Sequence, residues 1–340
     1  MRLVLDAMGS DNAPVVEVEG ALQASAELDA EIILVGQQKV IEKELAKHKP
    51  AAGKISIVNA NEIIAMHESP AQACRQKPDS SIMVGTRLIK EGKADAFVST
   101  GNSGAIMTAG LINLKRLAGV SRPAIATLLP TLSGACLLVD AGANVDCKPK
   151  HLLQFAIMGD IYVRYIMDKI NPSIGLLSIG EEDSKGNELT AASFSLIKKT
   201  SLNFIGNIEG RDIIKGKTDV VVCDGFVGNV VLKFAEGLAE SLFHLIKAEI
   251  EKKLIRKLGA ILIKPAFKEI IKRLDYAEYG GAPLLGLNGV CIIGHGSSNA
   301  KAVKNALKVS YESVRNNVNQ HLKEEIKLYN WEEGSNGIKH

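Results

Sequence analysis

Seven residues, Ser99-Thr100-Gly101-Asn102-Ser103-Gly104-Ala105, set a small polar loop between two apolar stretches. Ala94 to Val98 has the makeup of a short buried strand and Ala105 to Leu117 that of a helix, so the spacing predicts backbone N–H groups pointing outward at a helix N-terminus. Such a terminus attracts anions. Gly101 and Gly104 let a ligand approach the backbone closely, while Asn102 and Ser103 add side-chain hydrogen bonds. An ordinary capped turn uses the same residue types, so this loop alone leaves a phosphate cradle and a plain cap both open.

Other apolar runs also end in polar loops. Asp6-Ala7-Met8-Gly9-Ser10-Asp11 follows the first run, Asp140-Ala141-Gly142-Ala143-Asn144 a middle one, and Asp224-Gly225-Phe226-Val227-Gly228-Asn229 a later one. A fourth loop, Ser178 to Asn187, compresses Glu181, Glu182, Asp183 and Lys185 beside Gly180 and Gly186. Lys185 there could offer its ammonium to an anion, with the acids orienting it or capping the next helix. Gly294-His295-Gly296-Ser297 passes from the run Val290–Ile293 into a helix and offers a second cradle, now with an imidazole. Each aspartate taken singly has a turn or cap as its commoner role; together the loops predict a site outside the carboxyl ends of the strands.

The elements that must carry these loops alternate regularly. Strand-like runs at Arg2–Asp6, Glu31–Val35, Ile55–Val58, Ala94–Val98, Ala135–Val139, Ile174–Ile179 and Val220–Cys223 are separated by helical patterns. That alternation predicts an α/β protein with a mainly parallel sheet covered by helices on both faces, a three-layer α/β/α sandwich. With 340 residues, 46% hydrophobic but only 4% aromatic, the core must be aliphatic. Residues 1–330 are read as one catalytic domain and 331–340 as a tail.

Residues 237–275 differ in character. Leu238, Leu242, Leu245, Ile246, Ile250, Leu254 and Leu258 recur at helical spacing, and Pro265 sets off a second stripe of Phe267, Ile270, Ile271 and Leu274, which predicts a helical hairpin. Between Lys247 and Arg273, nine Lys or Arg face three Glu. Lys252, Lys253, Arg256, Lys257 and Lys264 make this surface a candidate for an acidic protein or an anionic membrane. The run Leu258 to Ile263, containing Ile261 and Ile263, is expected at the bend between the two helices. A dimer interface with a solvated basic face is the third reading.

Several function classes are disfavoured. A net charge of +3 does not call for nucleic acid. Gly216-Lys217-Thr218 lacks the glycine a Walker A loop needs at Arg211 and precedes a strand instead of following one. Asn299 replaces the third glycine of a dinucleotide fingerprint. No HExxH or close His/Cys/Asp cluster suggests a bound metal. Cys74, Cys136, Cys147, Cys223 and Cys291 form no CxxC pair and fit a reducing cytosol. Arg2-Leu3-Val4-Leu5 enters a strand at once, leaving no expected signal segment.

The loops at 6–11, 99–105, 140–144, 179–186, 206–210, 220–229, 279–286 and 295–297, in this order over residues 1 to 320, resemble the PlsX family, acyl-acyl-carrier-protein:phosphate acyltransferases of bacterial phospholipid synthesis. The chain departs from the family pattern at Ser10, where glycine is usual, and at Ser103, where threonine is common. Ser10 would be strained if its turn needed a positive φ. The resemblance implies the sandwich shared with phosphotransacetylases and isocitrate or isopropylmalate dehydrogenases. It implies attack of inorganic phosphate on an acyl-carrier thioester, without an acyl-enzyme and without a cofactor. Lys185, Asn229 and His295 would be catalytic, and Gly101, Asn102, Ser103, Gly104 and Ser297 would hold phosphate. Asp6, Gly9, Asp11, Asn144, Glu181 and Asp224 would shape the site. A cytoplasmic homodimer resting peripherally on the inner face of the membrane is implied, with the glycerol-3-phosphate acyltransferase that uses acyl phosphate as a further partner. A coenzyme A-dependent phosphotransacetylase, a decarboxylating dehydrogenase and a membrane-recruited scaffold are the alternatives.

Overall fold

The computed structural model describes residues 1–48, 54–274 and 279–329; the tail at 331–340 and the hairpin's end at 275 lie outside them. Eleven strands among the described residues make one sheet: β1 (Arg2–Asp6), β2 (Glu31–Gly36), β3 (Ile55–Asn59), β4 (Ala96–Ser99), β5 (Ala124–Thr131), β6 (Gly134–Val139), β7 (Ile174–Leu177), β8 (Phe204–Ile208), β9 (Val220–Val222), β10 (Ala282–Leu285) and β11 (Val290–Ile293). Their order is β3-β2-β1-β4-β11-β10-β5-β6-β9-β7-β8. The helices are α1 (Val15–Glu27), α2 (Gln38–Leu45), α3 (Pro70–Gln76), α4 (Ser81–Lys90), α5 (Ser103–Asn113), α6 (Pro149–Ile166), α7 (Glu188–Ile197), α8 (Gly210–Lys215), α9 (Gly225–Glu251), α10 (Leu254–Leu274), α11 (Ala300–Arg315) and α12 (Val318–Leu328).

Alternation along each strand feeds two cores. Leu3 and Leu5 of β1 pack with Val18 and Ala21 of α1 and Val303 and Leu307 of α11. Val4 between them faces the other way, toward Ile82 of α4 and Ile106 and Ala109 of α5. The second half repeats the scheme: Leu137 and Val139 pack under α6 and α12, whereas Leu138 packs with Ile213 of α8 and Val231 and Leu232 of α9. Because side chains alternate every residue, an apolar run can be buried on both faces, and the helices fall into two outer layers. This is the three-layer sandwich the sequence predicts.

Seven strand pairs are parallel and three are antiparallel. The three antiparallel pairs, β11–β10, β10–β5 and β5–β6, are consecutive across the middle of the sheet. An odd number of reversals means that β6, β9 and β7 run opposite to β1, β4 and β11. The expectation that all strand-end loops meet outside one edge is therefore corrected: they divide between the two edges.

The basic hairpin also differs from its expected form. Its bend lies at Lys252-Lys253, between α9 and α10, and the run Leu258 to Ile263 sits inside α10. Pro265 is likewise inside α10 and does not separate two helices. Lys252 and Arg256 both pair with Glu249, and the Arg256 guanidinium also donates to the Glu249 carbonyl at 2.9 Å, bracing the bend. Among the described residues no helix is long and apolar enough to cross a membrane.

Candidate active site

At one edge of the sheet the loops after β1, β4 and β11 close on one another. The Asp11 amide donates to the Gly296 carbonyl at 2.9 Å, and the Gly294 amide to the Ser99 carbonyl at 2.8 Å. A Cβ on Gly9 would meet the Gly101 nitrogen at 2.7 Å, and one on Gly294 would meet the Thr100 methyl at 2.7 Å. Glycine is thus required here for close approach. Ser10 is not among the residues with positive φ, so it fits its loop without the strain considered above.

Above these contacts stands α5, which starts at Ser103 and stops where Lys115 turns to φ 65°. The amides of Ser103 and Gly104 occupy its first turn, where no carbonyl of the helix can reach them. Ser103 is exposed and Gly104 half-buried, so these two donors face an accessible surface. Asn102, expected to bind phosphate through its side chain, is committed elsewhere. Its Oδ1 caps α5 by accepting from the Ala105 amide at 3.0 Å, and its Nδ2 donates to the carbonyls of Ala65, Met66 and Glu68 at 3.1–3.2 Å. The side chain thus ties the start of α5 to the loop at 65–68.

Two buried carboxyls lie beneath the cradle. Asp6 accepts from the Ser99 hydroxyl at 2.6 Å and from the Met8 amide at 3.0 Å. Glu17, on α1, accepts the Thr100 hydroxyl at 2.9 Å and the Ser10 amide at 3.2 Å through one oxygen, while its other oxygen is buried without a partner. Burial pushes both acids above the usual carboxylate range, against the pull of these hydrogen bonds. Glu17 lies beneath this loop and motif reading did not single it out; the acid within Val15-Val16-Glu17-Val18 was the available signal.

His295 opens the last loop of this group. Its Nδ1 lies 2.7 Å from the Ser297 hydroxyl and accepts the Ser297 amide at 3.2 Å. With Nδ1 accepting there, a neutral ring carries its proton on Nε2. Asp11 is exposed at the rim of the same loop pair.

The opposite edge gathers the second group. Asp140 is fully buried and accepts from the amides of Ile125, Gly142, Ala143 and Asn144 and from the Asn144 side chain, all at 2.8–3.1 Å. Burial raises its pKa against those donors. Asn144 also donates to the Pro123 carbonyl at 2.7 Å. Asp224 caps α9 by accepting the Val227 amide at 2.9 Å. Gly225 and Gly228 let α9 press on the Asp140 loop, since a Cβ on Gly228 would lie 1.9 Å from the Asp140 carbonyl oxygen. This docking sets the exposed Asn229 beside Gly142.

Lys185 follows β7 in the same group and is exposed. The acids near it do not orient it: Glu181 pairs with Lys217 at 3.0 Å and Asp183 with Lys198 at 2.9 Å. Nor do they cap α7, which Asn187 does. Among the described residues Lys185 forms no ion pair, which leaves its ammonium available to an anion. Its backbone is fixed instead, its amide donating to the Glu182 carbonyl at 2.9 Å and its carbonyl accepting from Ser178 and Asn207.

By fold the chain falls in the phosphotransacetylase-like class. It superposes on a phosphotransacetylase from Staphylococcus aureus with TM-score 0.63, at 16% identity, covering 92% of this chain and 94% of the other. A phosphotransacetylase from Streptococcus pyogenes gives 0.62 at 20% identity, with 93% and 94% covered. A 4-hydroxythreonine-4-phosphate dehydrogenase from Klebsiella pneumoniae gives 0.54 at 12%, with 92% and 99% covered. These likenesses are of fold. The sequence goes further: the family model described as fatty acid synthesis protein matches residues 1–321. Phosphate acyltransferases of Geotalea daltonii and Desulfitobacterium hafniense are 55% and 56% identical over 326 and 327 residues, covering 96% of this chain and 94% and 98% of theirs. The chain belongs to this family, the one its strand-end loops resemble, and is an enzyme of the transferase class.

Proposed function

We propose that the chain transfers a long-chain acyl group from acyl-acyl-carrier protein to inorganic phosphate, giving the acyl phosphate used in phosphatidic acid synthesis. The carrying observation is the first turn of α5, whose Ser103 and Gly104 amides have no carbonyl partner within the helix and stand where the loops after β1, β4 and β11 meet. A phosphate oxygen adds to the thioester carbonyl carbon. The tetrahedral oxyanion then collapses, the C–S bond breaks and the carrier leaves as a thiolate that takes up a proton. Phosphate is already anionic at neutral pH, so alignment and oxyanion stabilisation matter more than a strong base.

In this reading Gly101, Ser103, Gly104 and Ser297 hold phosphate, Lys185 orients it, Asn229 donates to the oxyanion, and the Nε2 proton of His295 goes to the thiolate. Direct attack is supported by the cysteines. Burial raises all five thiols, Cys136 and Cys291 to about 12 and Cys147 to about 11, so none is an activated nucleophile. Lys252, Lys253, Arg256, Lys257 and Lys264 on the exposed hairpin receive the acidic carrier. Ile261 and Leu262, 65% and 82% exposed, together with Ile263, touch the lipid surface into which the product passes, toward a membrane glycerol-3-phosphate acyltransferase. The working form is a cytoplasmic homodimer held peripherally at the membrane.

The test is phosphate-dependent release of free thiol from palmitoyl-acyl-carrier protein, with palmitoyl-coenzyme A in parallel. Turnover with the carrier thioester is expected. Turnover with coenzyme A alone would make the chain a phosphotransacetylase in activity as in fold, and binding of the carrier without turnover would make it a scaffold.

A further inference from the structure

One group of charges beside the second set of loops has no part in the chemistry above. Arg122, just ahead of β5, and Lys148, just ahead of α6, are both exposed. The chain on either side of Arg122 is pinned: the Ser121 amide donates to Oε1 of Gln154 on α6 at 2.8 Å, and the Pro123 carbonyl accepts from the Asn144 side chain at 2.7 Å. Arg116 donates through its guanidinium to the Ser121 carbonyl, which brings another cation to the same turn. The Lys148 amide donates to Nδ1 of His151 at 3.1 Å. Burial holds the His151 pKa down, and the charges of Arg122, Lys148 and Lys150 press it lower still. One buried ring thus feels cations from the turn before β5 and from the start of α6 together.

Acids do not balance these charges. Among the described residues neither Arg122 nor Lys148 forms an ion pair, and neither does Asp146, the nearest acid in the chain. Asp224 is turned to the α9 cap, and Asp140 is held by the amides of its own loop. Like charges gathered on an open surface repel one another, and a bound anion relieves that repulsion.

The cations also stand close to Asn229. Asn144 reaches the Pro123 carbonyl with its side chain, and its own carbonyl accepts the Gly225 amide at 2.7 Å. Cys147, next to Lys148, lays its thiol on that same carbonyl at 3.5 Å. Asn229 follows Gly225 by one turn of α9, a rise of about 6 Å. Asn144 is therefore the common anchor of Arg122, of Lys148 and of the helix turn that carries the oxyanion donor.

We propose that Arg122 and Lys148 bind the phosphate group at the far end of the acyl donor's arm, the phosphodiester of 4′-phosphopantetheine, while Asn229 meets the thioester carbonyl at the near end. This rests on the acyl-transfer reading above and adds where the arm lies. An acyl-carrier protein bears its acyl chain on such an arm, in which two amides separate a permanently charged phosphate from the sulfur. Inorganic phosphate shares that chemistry, but in this reading it occupies the cradle at α5, on the other edge of the sheet. The planar fork of arginine suits a phosphate, and lysine adds a point charge. Both side chains are open to solvent, as an arm that enters with its protein attached requires.

Calorimetric titration with 4′-phosphopantetheine and with pantetheine tests this without turnover. The wild-type chain is expected to bind the phosphorylated arm about tenfold more tightly, and Arg122→Gln with Lys148→Gln to lose most of that preference. A second measurement needs no substitution: the wild-type preference should fall as salt is raised, because the contact is between exposed charges. Kinetics then place the site in the reaction. Between palmitoyl-4′-phosphopantetheine and palmitoyl-pantetheine, the ratio of kcat/KM values should drop about tenfold in the double variant. Equal binding of the two arms by the wild-type chain would overturn the proposal, as would a folded double variant that keeps the preference. A rise in KM for inorganic phosphate in place of that loss would assign the cations to the other substrate and refute the arm site. Loss confined to palmitoyl-acyl-carrier protein, with the two free arms treated alike, would mean that the cations meet the carrier's acidic surface, and would refute it too. A wild-type chain that prefers the phosphorylated arm yet releases no thiol would instead contradict the acyl-transfer reading and leave the arm site standing.

Discussion

Gly9 and Gly101 touch so closely that a Cβ on the first would sit 2.7 Å from the backbone nitrogen of the second. The contact joins the loops after β1 and β4 and sets the floor against which the first turn of α5 is placed. Backbone nitrogen cannot swing aside as a flexible side chain does, so the placement of the loop at 99–102 depends on the absence of one methyl group.

Gly9→Ala therefore should displace the loop at 99–102. The expected result is a several-fold rise in KM for phosphate with KM for the thioester unchanged, and a loss of about 1–3 kcal/mol in urea unfolding, the usual penalty for overpacking. Steady-state kinetics and denaturation of the same preparation measure both, and an unchanged phosphate KM would contradict the role of this contact.

Asn102→Ala removes an N-cap and three donors to loop carbonyls at once. The cap alone is worth about 0.5–2 kcal/mol. Asn102→Asp keeps the cap acceptor and should restore that part, yet its charge beside the cradle should still raise KM for phosphate. Thermal unfolding separates the two variants; equal stability in both would show that the cap contributes nothing.

Glu17 offers a pH test. Its folded pKa is raised by burial, so the folded state holds its proton more tightly than the unfolded chain does. This group's contribution is full below the unfolded value of about 4.3 and declines as pH rises through the folded value. Glu17→Gln keeps an oxygen for Thr100 and Ser10 and places its amide where the unpartnered oxygen lies. The variant should thus gain stability relative to wild type as pH rises from 4 to neutrality, read from urea midpoints across the range. A difference independent of pH would mean that Glu17 titrates alike in both states.

Ile261→Glu with Ile263→Glu should reduce flotation with anionic vesicles several-fold while leaving thiol release in solution near wild type, because neither residue lies near either loop group. Undiminished vesicle binding would remove the hairpin from membrane contact.

The sequence shows the α/β alternation and the loops clearly, since runs such as Leu3 to Leu5, Ala96 to Val98 and Leu137 to Val139 are buried on both faces. It hides β5, β8 and β10. Pro130 and Pro283 interrupt two of them and Gly206 with Asn207 the third, residues that ordinarily argue against a strand. Missing β5 and β10 has a large effect, because they supply the reversals that send Asp140, Lys185 and Asn229 to the far edge. Strand direction is set by pairing, which composition does not record. Asn102 misleads for a related reason: the same amide can bind a ligand or cap a helix, and only its three carbonyl partners decide.

The most direct test of the account is acyl transfer to phosphate labelled with ¹⁸O at every oxygen, with palmitoyl-acyl-carrier protein as donor and mass spectrometry of both product and protein. The account predicts acyl phosphate carrying all the label, and no acylated protein when phosphate is omitted. Free fatty acid as the main product, or an acyl adduct on the chain formed without phosphate, would contradict direct attack by a phosphate held at α5.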